Sequence, residues 1–160
     1  MDIKELRNCF GKFATGVVVA ATGTRFDDLC GLTINSFSSV SLSPPLVLFS
    51  IANESSNLEK FQNNQFFTLN ILSEQQSDLA IEFAKANNPL KWDIEQYRLT
   101  SNSCPIFENA LSYLECKSVN IFKSGDHHVI IGEVVDFKNL DEEKKPLLYF
   151  KSKFGTIQNG

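Results

Sequence analysis

The chain has 160 residues, of which 42 % are hydrophobic and 21 % charged, a composition that predicts one globular domain over residues 1–160. Its formal net charge is −4 and its lysines are scattered, so it lacks the concentrated basic surface with which proteins bind nucleic acids. The sequence has no signal-like start and no long apolar run, and we expect a cytoplasmic protein that binds neither nucleic acid nor membrane.

Four cysteines lie far apart in the chain, at Cys9, Cys30, Cys104 and Cys116. They form no C-x-x-C pair, and no histidine stands at zinc-finger spacing from them, so we expect no metal site. None has a local base beside it that would favour the thiolate. The pattern therefore predicts reduced, buried and unreactive thiols.

The N-terminal segment predicts a helix and then a strand. Residues 2–5 match a capping box, and apolar residues follow at helical spacing to about Ala14. These apolar residues are Ile3, Leu6, Phe10 and Phe13. A β-branched run then predicts a strand over residues 17–23, and the next strand is expected to begin near Leu29.

The middle of the chain predicts two strands and two capped helices. Apolar runs at residues 46–52 and 66–72 predict the strands, and the proline pair before the first run cannot lie inside a central strand. Capping boxes at residues 56–59 and 73–76 predict the helix starts, and Asn88-Pro89 ends the second helix. The expected inward-facing residues are Leu58 and Phe61 in the first helix, and Leu79, Ala80, Phe83 and Ala84 in the second.

The second half of the chain predicts mainly strands. After an irregular stretch at residues 92–107, two long strands are expected at 110–122 and 127–137, joined by a turn at 123–126. A last short strand is expected at 147–151. Because consecutive strands lack regular helices between them, the pattern favours a mainly β protein, an antiparallel barrel with peripheral helices, over a doubly wound parallel sheet.

Several common catalytic motifs are missing from the sequence. It contains no G-x-G, which excludes the usual Rossmann dinucleotide fingerprint. It also has no phosphate-loop motif, no G-x-S-x-G elbow and no H-E-x-x-H pair. Hydrolase and nucleoside-triphosphatase activities are therefore not favoured.

Residues 31–41 combine short hydroxyl and amide side chains between two apolar strands. Such side chains offer donors and acceptors to the polar edge of a planar ligand such as a flavin, and they let its ring lie close to the backbone. The same composition is typical of a serine-rich solvated loop. Composition alone leaves both interpretations open.

Two further positions combine polar residues with a predicted element boundary. Ser55 and Ser56 precede a predicted helix, whose first N–H groups favour a phosphate, although ordinary capping explains them equally well. In Asp126-His127-His128, strand alternation places the two histidines on opposite faces, so one can point into the barrel. The alternative is a turn residue followed by a histidine satisfied within the fold or at the surface.

Three blocks of the sequence resemble the flavin reductase family. They are F-G-K-F-A-T-G-V at residues 10–17, G-L-T-I-N-S-F-S-S-V-S-L-S-P-P-L-V at 31–47 and S-G-D-H at 124–127. The resemblance runs from about residue 6 to 155, and its specific part is T-x-N-S-F-x-S-V-S followed by P-P-L. It implies an antiparallel Greek-key split β-barrel of the FMN-binding type, with an N-terminal helix and two or three peripheral helices, that forms a homodimer.

The resemblance also implies which residues bind the cofactor. Those lining the flavin ring and ribityl chain are Thr33, Ile34, Asn35 and Ser36, with Ser39 and Ser41 nearby. Those bordering the pyrimidine side are Ser50, Ile51 and Ala52. Those meeting the phosphate are Ser55 and Ser56, with Lys85 beside Phe83. His127 is expected near the nicotinamide, and Phe154 stands where relatives commonly have tyrosine.

The implied activity is hydride transfer from NADH or NADPH to FMN or FAD, and the implied partner is a flavin-dependent monooxygenase. Hydride passes directly between stacked rings and needs no acid-base pair, so we expect His127 to be a positioning residue. One alternative is a flavin- or tetrapyrrole-binding protein of the same fold without turnover. Another, an enzyme like pyridoxine-phosphate oxidase, would need more arginines than the three present, Arg7, Arg25 and Arg98.

Overall fold

The computed structural model describes residues 1–25, 28–85, 92 and 97–158. Its helices are α1 (Ile3–Phe10), α2 (Leu58–Asn63) and α3 (Ser77–Ala84), with a 3-10 helix at Glu74–Gln76 directly before α3. Its strands are β1 (Thr15–Gly16), β2 (Val18–Thr22), β3 (Cys30–Ile34), β4 (Ser38–Leu42), β5 (Pro45–Ala52), β6 (Phe66–Ile71), β7 (Tyr97–Leu99), β8 (Pro105–Phe107), β9 (Ser112–Ser124), β10 (His127–Asn139), β11 (Leu148–Phe150) and β12 (Lys153–Gly155).

The strands form antiparallel sheets. Seven of them pair in the order β3-β2-β6-β9-β10-β5-β4, and three others pair in the order β1-β11-β12. A third, two-stranded sheet contains β7 and β8. The predicted mainly β, antiparallel architecture with few helices is confirmed.

Two hydrophobic clusters cover opposite faces of β2, which explains why that strand is apolar throughout. Val18 and Ala20 face a cluster that includes Phe49, Phe61 and Phe67. Within it, the ring of Phe49 lies 5.6 Å from that of Phe61 and 5.3 Å from that of Phe67, and α2 supplies Phe61. The alternate residues of the segment face a second cluster, which α3 covers. Because both faces are buried, polar alternation is absent from β2.

Helix α1 begins as predicted but ends early. The Asp2 carboxylate accepts hydrogen bonds from the backbone N–H groups of Lys4 (2.8 Å) and Glu5 (3.2 Å), as expected for an N-cap. The helix ends at Phe10 rather than at Ala14, because Gly11 forms its C-cap. None of its residues is buried, so its apolar side chains lie on the surface of this single chain.

The other helices depart from prediction at their ends. The N-cap of α2 is Asn57, so the predicted capping box at residues 56–59 is wrong; the hydroxyl of Ser55 accepts the Asn57 N–H instead, at 3.3 Å. In the 3-10 helix before α3, the Gln76 side chain accepts the Ser73 N–H at 3.0 Å, as its capping box predicts. Ala84 is exposed rather than buried. The predicted stop at residues 88–89 lies outside the described residues.

Several strands were not predicted, among them the short β1 (Thr15–Gly16). Strand β4 lies in the serine-rich segment, at the edge of the large sheet, where four of its five residues are exposed. Strands β7 and β8 fall within the stretch expected to be irregular, part of which is not described. Strand β12 returns antiparallel to β11 after a two-residue turn. An edge strand with one solvated face needs no apolar run, so its pattern is weak in sequence.

Candidate functional site

The end of β3 separates two clefts on the surface of the chain. Residues 33–35 line both of them. The Thr33 hydroxyl donates a 2.7 Å hydrogen bond to the Ala80 carbonyl, which ties this strand end to α3. Ile34 is buried beside it, whereas Asn35 is exposed. The strand end is therefore fixed on one side and accessible on the other.

The first cleft, which we name the serine cleft, has a volume of about 290 Å³. It is lined by Leu32, Thr33, Ile34, Asn35, Ser36, Ser50, Ile51, Ala52, Ser55 and His127. All of these except Leu32 were predicted site residues. The fold thus brings together the end of β3, the end of β5 and the first residue of β10.

The second cleft, which we name the aromatic cleft, has a volume of about 400 Å³. Beyond residues 33–35 it is lined by Val17, Ile81, Ala84, Tyr149, Ser152 and Phe154. The rings of Tyr149 and Phe154 lie 5.5 Å apart. The structure therefore places Phe154 next to the predicted ring-binding strand, in a different cleft from His127.

Hydrogen bonds between Ser36 and Ser50 stabilise one side of the serine cleft. The Ser50 N–H donates to the Ser36 hydroxyl at 2.9 Å, and that hydroxyl donates to the Ser50 carbonyl at 3.3 Å. These two bonds link the segment after β3 to β5. The Asn57 side chain donates to the Gly31 carbonyl at 3.3 Å, which links the start of α2 to β3.

His127 stands at the tip of the β9–β10 hairpin. Its Nδ1 lies 2.7 Å from the Asp126 carboxylate, and its side chain is 47 % exposed. This contact is the main reason why the pKa of the Asp126 carboxyl lies below its usual value. The contact also restrains the imidazole ring, so that its orientation toward the cleft is set by a neighbouring residue.

Asn53 braces the same hairpin tip through three hydrogen bonds. Its backbone N–H donates to the Asp126 carbonyl at 2.9 Å, and its side-chain amide donates to the Gly125 carbonyl at 3.1 Å. Its side-chain oxygen lies 2.8 Å from Nδ1 of His128. Because that oxygen can only accept, His128 carries its proton on Nδ1. Asn53 therefore links the end of β5, at Ala52, to the hairpin tip.

Five predicted site residues do not line either cleft. Ser39 and Ser41 lie on the edge strand β4, and Ser56 is exposed beyond Ser55. Phe83 is buried in the second hydrophobic cluster, where its ring lies 5.0 Å from that of Trp92. Lys85 is exposed after the end of α3. Their roles in cofactor binding stay predictions.

Sequence reasoning did not identify the remaining residues that line the clefts. Ile81 and Ala84 belong to a helix that was expected to bury its apolar side chains, and Tyr149 and Ser152 belong to the last hairpin. Asn53 was not identified either. Its only signal was its place directly after an apolar strand, where strand ends often carry functional residues.

The cysteines differ in exposure. Cys30, Cys104 and Cys116 are buried, and burial is the main cause that raises the pKa of each thiol to about 12. Cys9 is exposed on α1, so the prediction that all four are buried is wrong for this residue. Among the described residues, no group of histidine, cysteine, aspartate or glutamate has the arrangement of a metal site.

Within the described ranges, no helix is both long enough and apolar enough to cross a membrane.

The comparison with known families decides the relationship. The profile of the flavin reductase like domain matches residues 10–158. The chain belongs to the flavin reductase family. The predicted resemblance is thereby confirmed, and the mainly β fold with antiparallel sheets is the split barrel of that family.

Individual flavin reductases are similar along most of this chain. The reductase component of the flavin-dependent trigonelline monooxygenase of Acinetobacter baylyi is 37 % identical over 139 residues, which is 84 % of this chain and 43 % of the relative. The FMN reductase (NADH) SmoA of Agrobacterium fabrum is 35 % identical, over 96 % of this chain and 86 % of the relative. The chain spans 44 %, 43 % and 60 % of three curated relatives, or about half of their length.

A solved flavin reductase also matches the whole fold. The NADH:FAD oxidoreductase SgcE6 of Streptomyces globisporus, in complex with NAD and FAD fragments, superposes with a TM-score of 0.91 and 30 % identity. The match covers 98 % of this chain and 93 % of that one.

Proposed function

We propose that this chain is an NAD(P)H-dependent flavin reductase, a single domain that binds FMN or FAD in the serine cleft. The observation that carries the proposal is the convergence of residues 33–36, residues 50–52, Ser55 and His127 on one cleft. Family membership supports it, as do relatives named for the reduction of FMN and FAD with NADH.

The side chains present suit a flavin. The ring is planar and largely apolar with one polar edge, and the serine cleft combines buried Ile34 and Ile51 with the amide and hydroxyls of Asn35, Ser36 and Ser50. Its volume lies at the lower end for ligand pockets, and the aromatic cleft adjoins it. Of the described residues that line the two clefts, none is a carboxylate that would repel a phosphate.

A bound flavin supplies the acceptor for a hydride from the reduced nicotinamide. The contribution of the protein is placement, because direct transfer requires the two rings at about 3 to 3.5 Å and no acid-base pair. We assign residues 33–36 to the ring and ribityl chain, residues 50–52 to the pyrimidine edge, and Ser55 with Ser56 to the phosphate. Lys85 can add a positive charge near the phosphate. Phe154 can contact the ring from the aromatic cleft.

His127 is the positioning residue for the nicotinamide. With Nδ1 directed at the Asp126 carboxylate, its Nε2 is the nitrogen left for a ligand. The carboxylate and Asn53 together fix where that nitrogen lies. His127 thereby holds the carboxamide of the nicotinamide and takes no part in proton transfer.

We further propose a homodimer that supplies reduced flavin to a monooxygenase. Large apolar side chains are exposed at the end of α1, directly after it, and along β9 and β10; they include Phe10, Phe13, Val119 and Phe137. Exposed apolar area of this kind is typical of an interface, and a second copy is the occupant that the family resemblance implies. A relative is named as the reductase component of a monooxygenase, which supports the partner.

Anaerobic mixing of the purified protein with NADH and FMN tests the activity. We expect the visible flavin band to bleach at a rate proportional to protein concentration, with FAD and NADPH run in parallel to rank the substrates. Heat-denatured protein is the control. Tight flavin binding without bleaching would instead establish a non-catalytic flavin-binding protein of the same fold.

A further inference from the structure

A groove between the end of α1 and the β11–β12 turn concentrates positive charge. It has a volume of about 280 Å³ and is lined by Arg7, Asn8, Gly11, Lys12, Lys151 and Ser152. Three of these six residues are cationic and none is acidic, in a chain whose formal net charge is −4. We name it the cationic groove. Its charge is therefore a local feature rather than a general property of the surface.

Several backbone carbonyls around the groove are paired with backbone N–H groups. The C-terminal end of a helix normally presents unpaired carbonyls, which disfavour negative charge. Here the Arg7 carbonyl accepts the Gly11 N–H at 2.9 Å, and the Cys9 carbonyl accepts the Lys12 N–H at 3.1 Å. The Gly11 carbonyl accepts the Lys151 N–H, also at 2.9 Å, which anchors the β11–β12 turn to the helix.

The turn that supplies Lys151 is conformationally strained. Lys151 and Ser152 both have positive φ, at 47° and 61°, and lie between the paired residues Phe150 and Lys153. A two-residue turn of this kind is favoured by asparagine and glycine, which adopt positive φ at little cost. Residues held in that region at a cost are most often found at functional sites. Lys151 therefore adopts a backbone conformation that costs it more than it would cost asparagine or glycine.

The cationic groove is continuous with the proposed ring-binding site. Ser152 lines both the groove and the aromatic cleft, and the aromatic cleft shares residues 33–35 with the serine cleft. Arg7 also lies within electrostatic range of the hairpin tip: the pKa of Asp126 is lowered mainly by its hydrogen bond from His127 and least by the positive charge of Arg7. A ligand with rings in the clefts can thus reach the groove.

We propose that the cationic groove binds the phosphate groups of the nicotinamide dinucleotide that delivers the hydride. This inference rests on the proposed reductase function. Arg7 can contact a phosphate through two N–H donors, while Lys12 and Lys151 act as point charges. The flavin phosphate has the same chemistry, but the predicted site for it lies at Ser55, on the serine cleft.

Kinetics with two hydride donors test the proposal. In the Arg7→Ala/Lys151→Ala variant, we expect the KM for NADH to rise about tenfold or more, which corresponds to the loss of about 1.4 kcal/mol. The KM for 1-benzyl-1,4-dihydronicotinamide, which carries no phosphate, should stay within about twofold because the ring site is intact. The matched control is Lys117→Ala, an exposed lysine on β9. Equal changes for both donors would overturn the proposal.

A flavin titration separates the two sources of phosphate. Dissociation constants for FMN and for riboflavin, which lacks the phosphate, are measured by fluorescence with wild type and the double variant. We expect both constants to be unchanged by the substitutions. A selective loss of FMN affinity would assign the groove to the flavin phosphate and refute the dinucleotide assignment.

A binding measurement with inorganic pyrophosphate tests anion binding in the cationic groove independently of the reductase function. Titration calorimetry should show severalfold weaker pyrophosphate binding in Lys151→Gly. The thermal midpoint of unfolding should rise in the same variant, because glycine adopts the positive φ at little cost. A protein that binds pyrophosphate in this way but reduces no flavin would refute only the proposed function. A reductase whose pyrophosphate binding is indifferent to Lys151 would refute only the groove.

Discussion

At the scale of single residues, the site depends on side chains held by their immediate neighbours. The His127 imidazole is restrained by the adjacent carboxylate of Asp126, and the Ser36 hydroxyl is fixed by both backbone groups of Ser50. Such restraints reduce the entropy lost when a ligand binds.

Replacing His127 with alanine should lower flavin reduction more than flavin affinity. We expect kcat/KM for NADH to fall about tenfold or more, because one positioning contact to the nicotinamide is lost. The dissociation constant for FMN should change by less than about twofold. Stopped-flow reduction and fluorescence titration measure the two quantities, and unchanged turnover in His127→Ala would rule out the positioning role.

The four thiols should differ sharply in reactivity at pH 8. Cys9 is exposed, whereas burial raises the pKa values of Cys30, Cys104 and Cys116 to about 12, so these three form almost no thiolate at that pH. Labelling with a chromogenic disulfide should therefore modify one thiol rapidly and the others only in denaturant. Rapid labelling that persists in Cys9→Ser would contradict this assignment.

At the scale of elements, the two long strands of the β9–β10 hairpin connect the core to the site. The middle of β10 includes Gly132, which is buried and packs against Phe67 and Cys116. The first residue of β10 lies at the hairpin tip, to which Asn53 is hydrogen-bonded. Stability and positioning can therefore be perturbed separately along one strand.

Gly132→Ala should destabilise the fold. A Cβ at this position would clash with Phe67 Cζ and lie 2.9 Å from Cys116 Cβ, and Phe67 is buried among other rings. Overpacking of this kind costs about 1–3 kcal/mol of unfolding free energy. Chemical denaturation measures the loss, with Gly155→Ala as the control because its Cβ would meet nothing within 4 Å. Equal stability of the two variants would show that the core around Phe67 rearranges to accommodate the added Cβ.

Asn53→Ala should loosen the hairpin tip without disturbing the core. The variant removes the side-chain bonds to Gly125 and His128, and each such bond contributes about 0.5–1.5 kcal/mol. We expect faster amide hydrogen exchange at residues 125–128, with exchange in β2 and β6 unchanged. Asn63→Ala, an exposed asparagine at the end of α2, is the control. Unaltered hydrogen exchange at residues 125–128 would show that the Asn53 side chain does not stabilise the hairpin tip.

At the scale of the whole molecule, the sequence predicts the strands that carry a continuous apolar run or a clear alternation of apolar and polar residues. The run at residues 46–52 corresponds to β5 (Pro45–Ala52), and both long hairpin strands were predicted. Strand β4 was missed because its serines face solvent at a sheet edge, and α1 was extended too far because Gly11 ends it while Phe13 continues the apolar pattern. A local pattern therefore indicates that an element exists more reliably than it indicates where the element ends.

The candidate site was predictable in part. Residues 33–36, 50–52 and His127 came from a family resemblance, and their convergence follows from the pairing of β5 with β10, which sets Ala52 opposite His127. Ile81, Ala84 and Tyr149 could not be predicted, because the aromatic cleft arises where α3 and the last hairpin approach β3. No single segment carries that information.

Chemical-shift mapping with FMN tests the location of the site most directly. FMN is titrated into ¹⁵N-labelled protein, and the amide shifts of the whole chain are followed together. We expect the largest changes at residues 33–36, 50–52, 55 and 126–127, whereas β7 and β8 should stay unchanged. Saturable changes centred elsewhere, or none at saturating FMN, would contradict it.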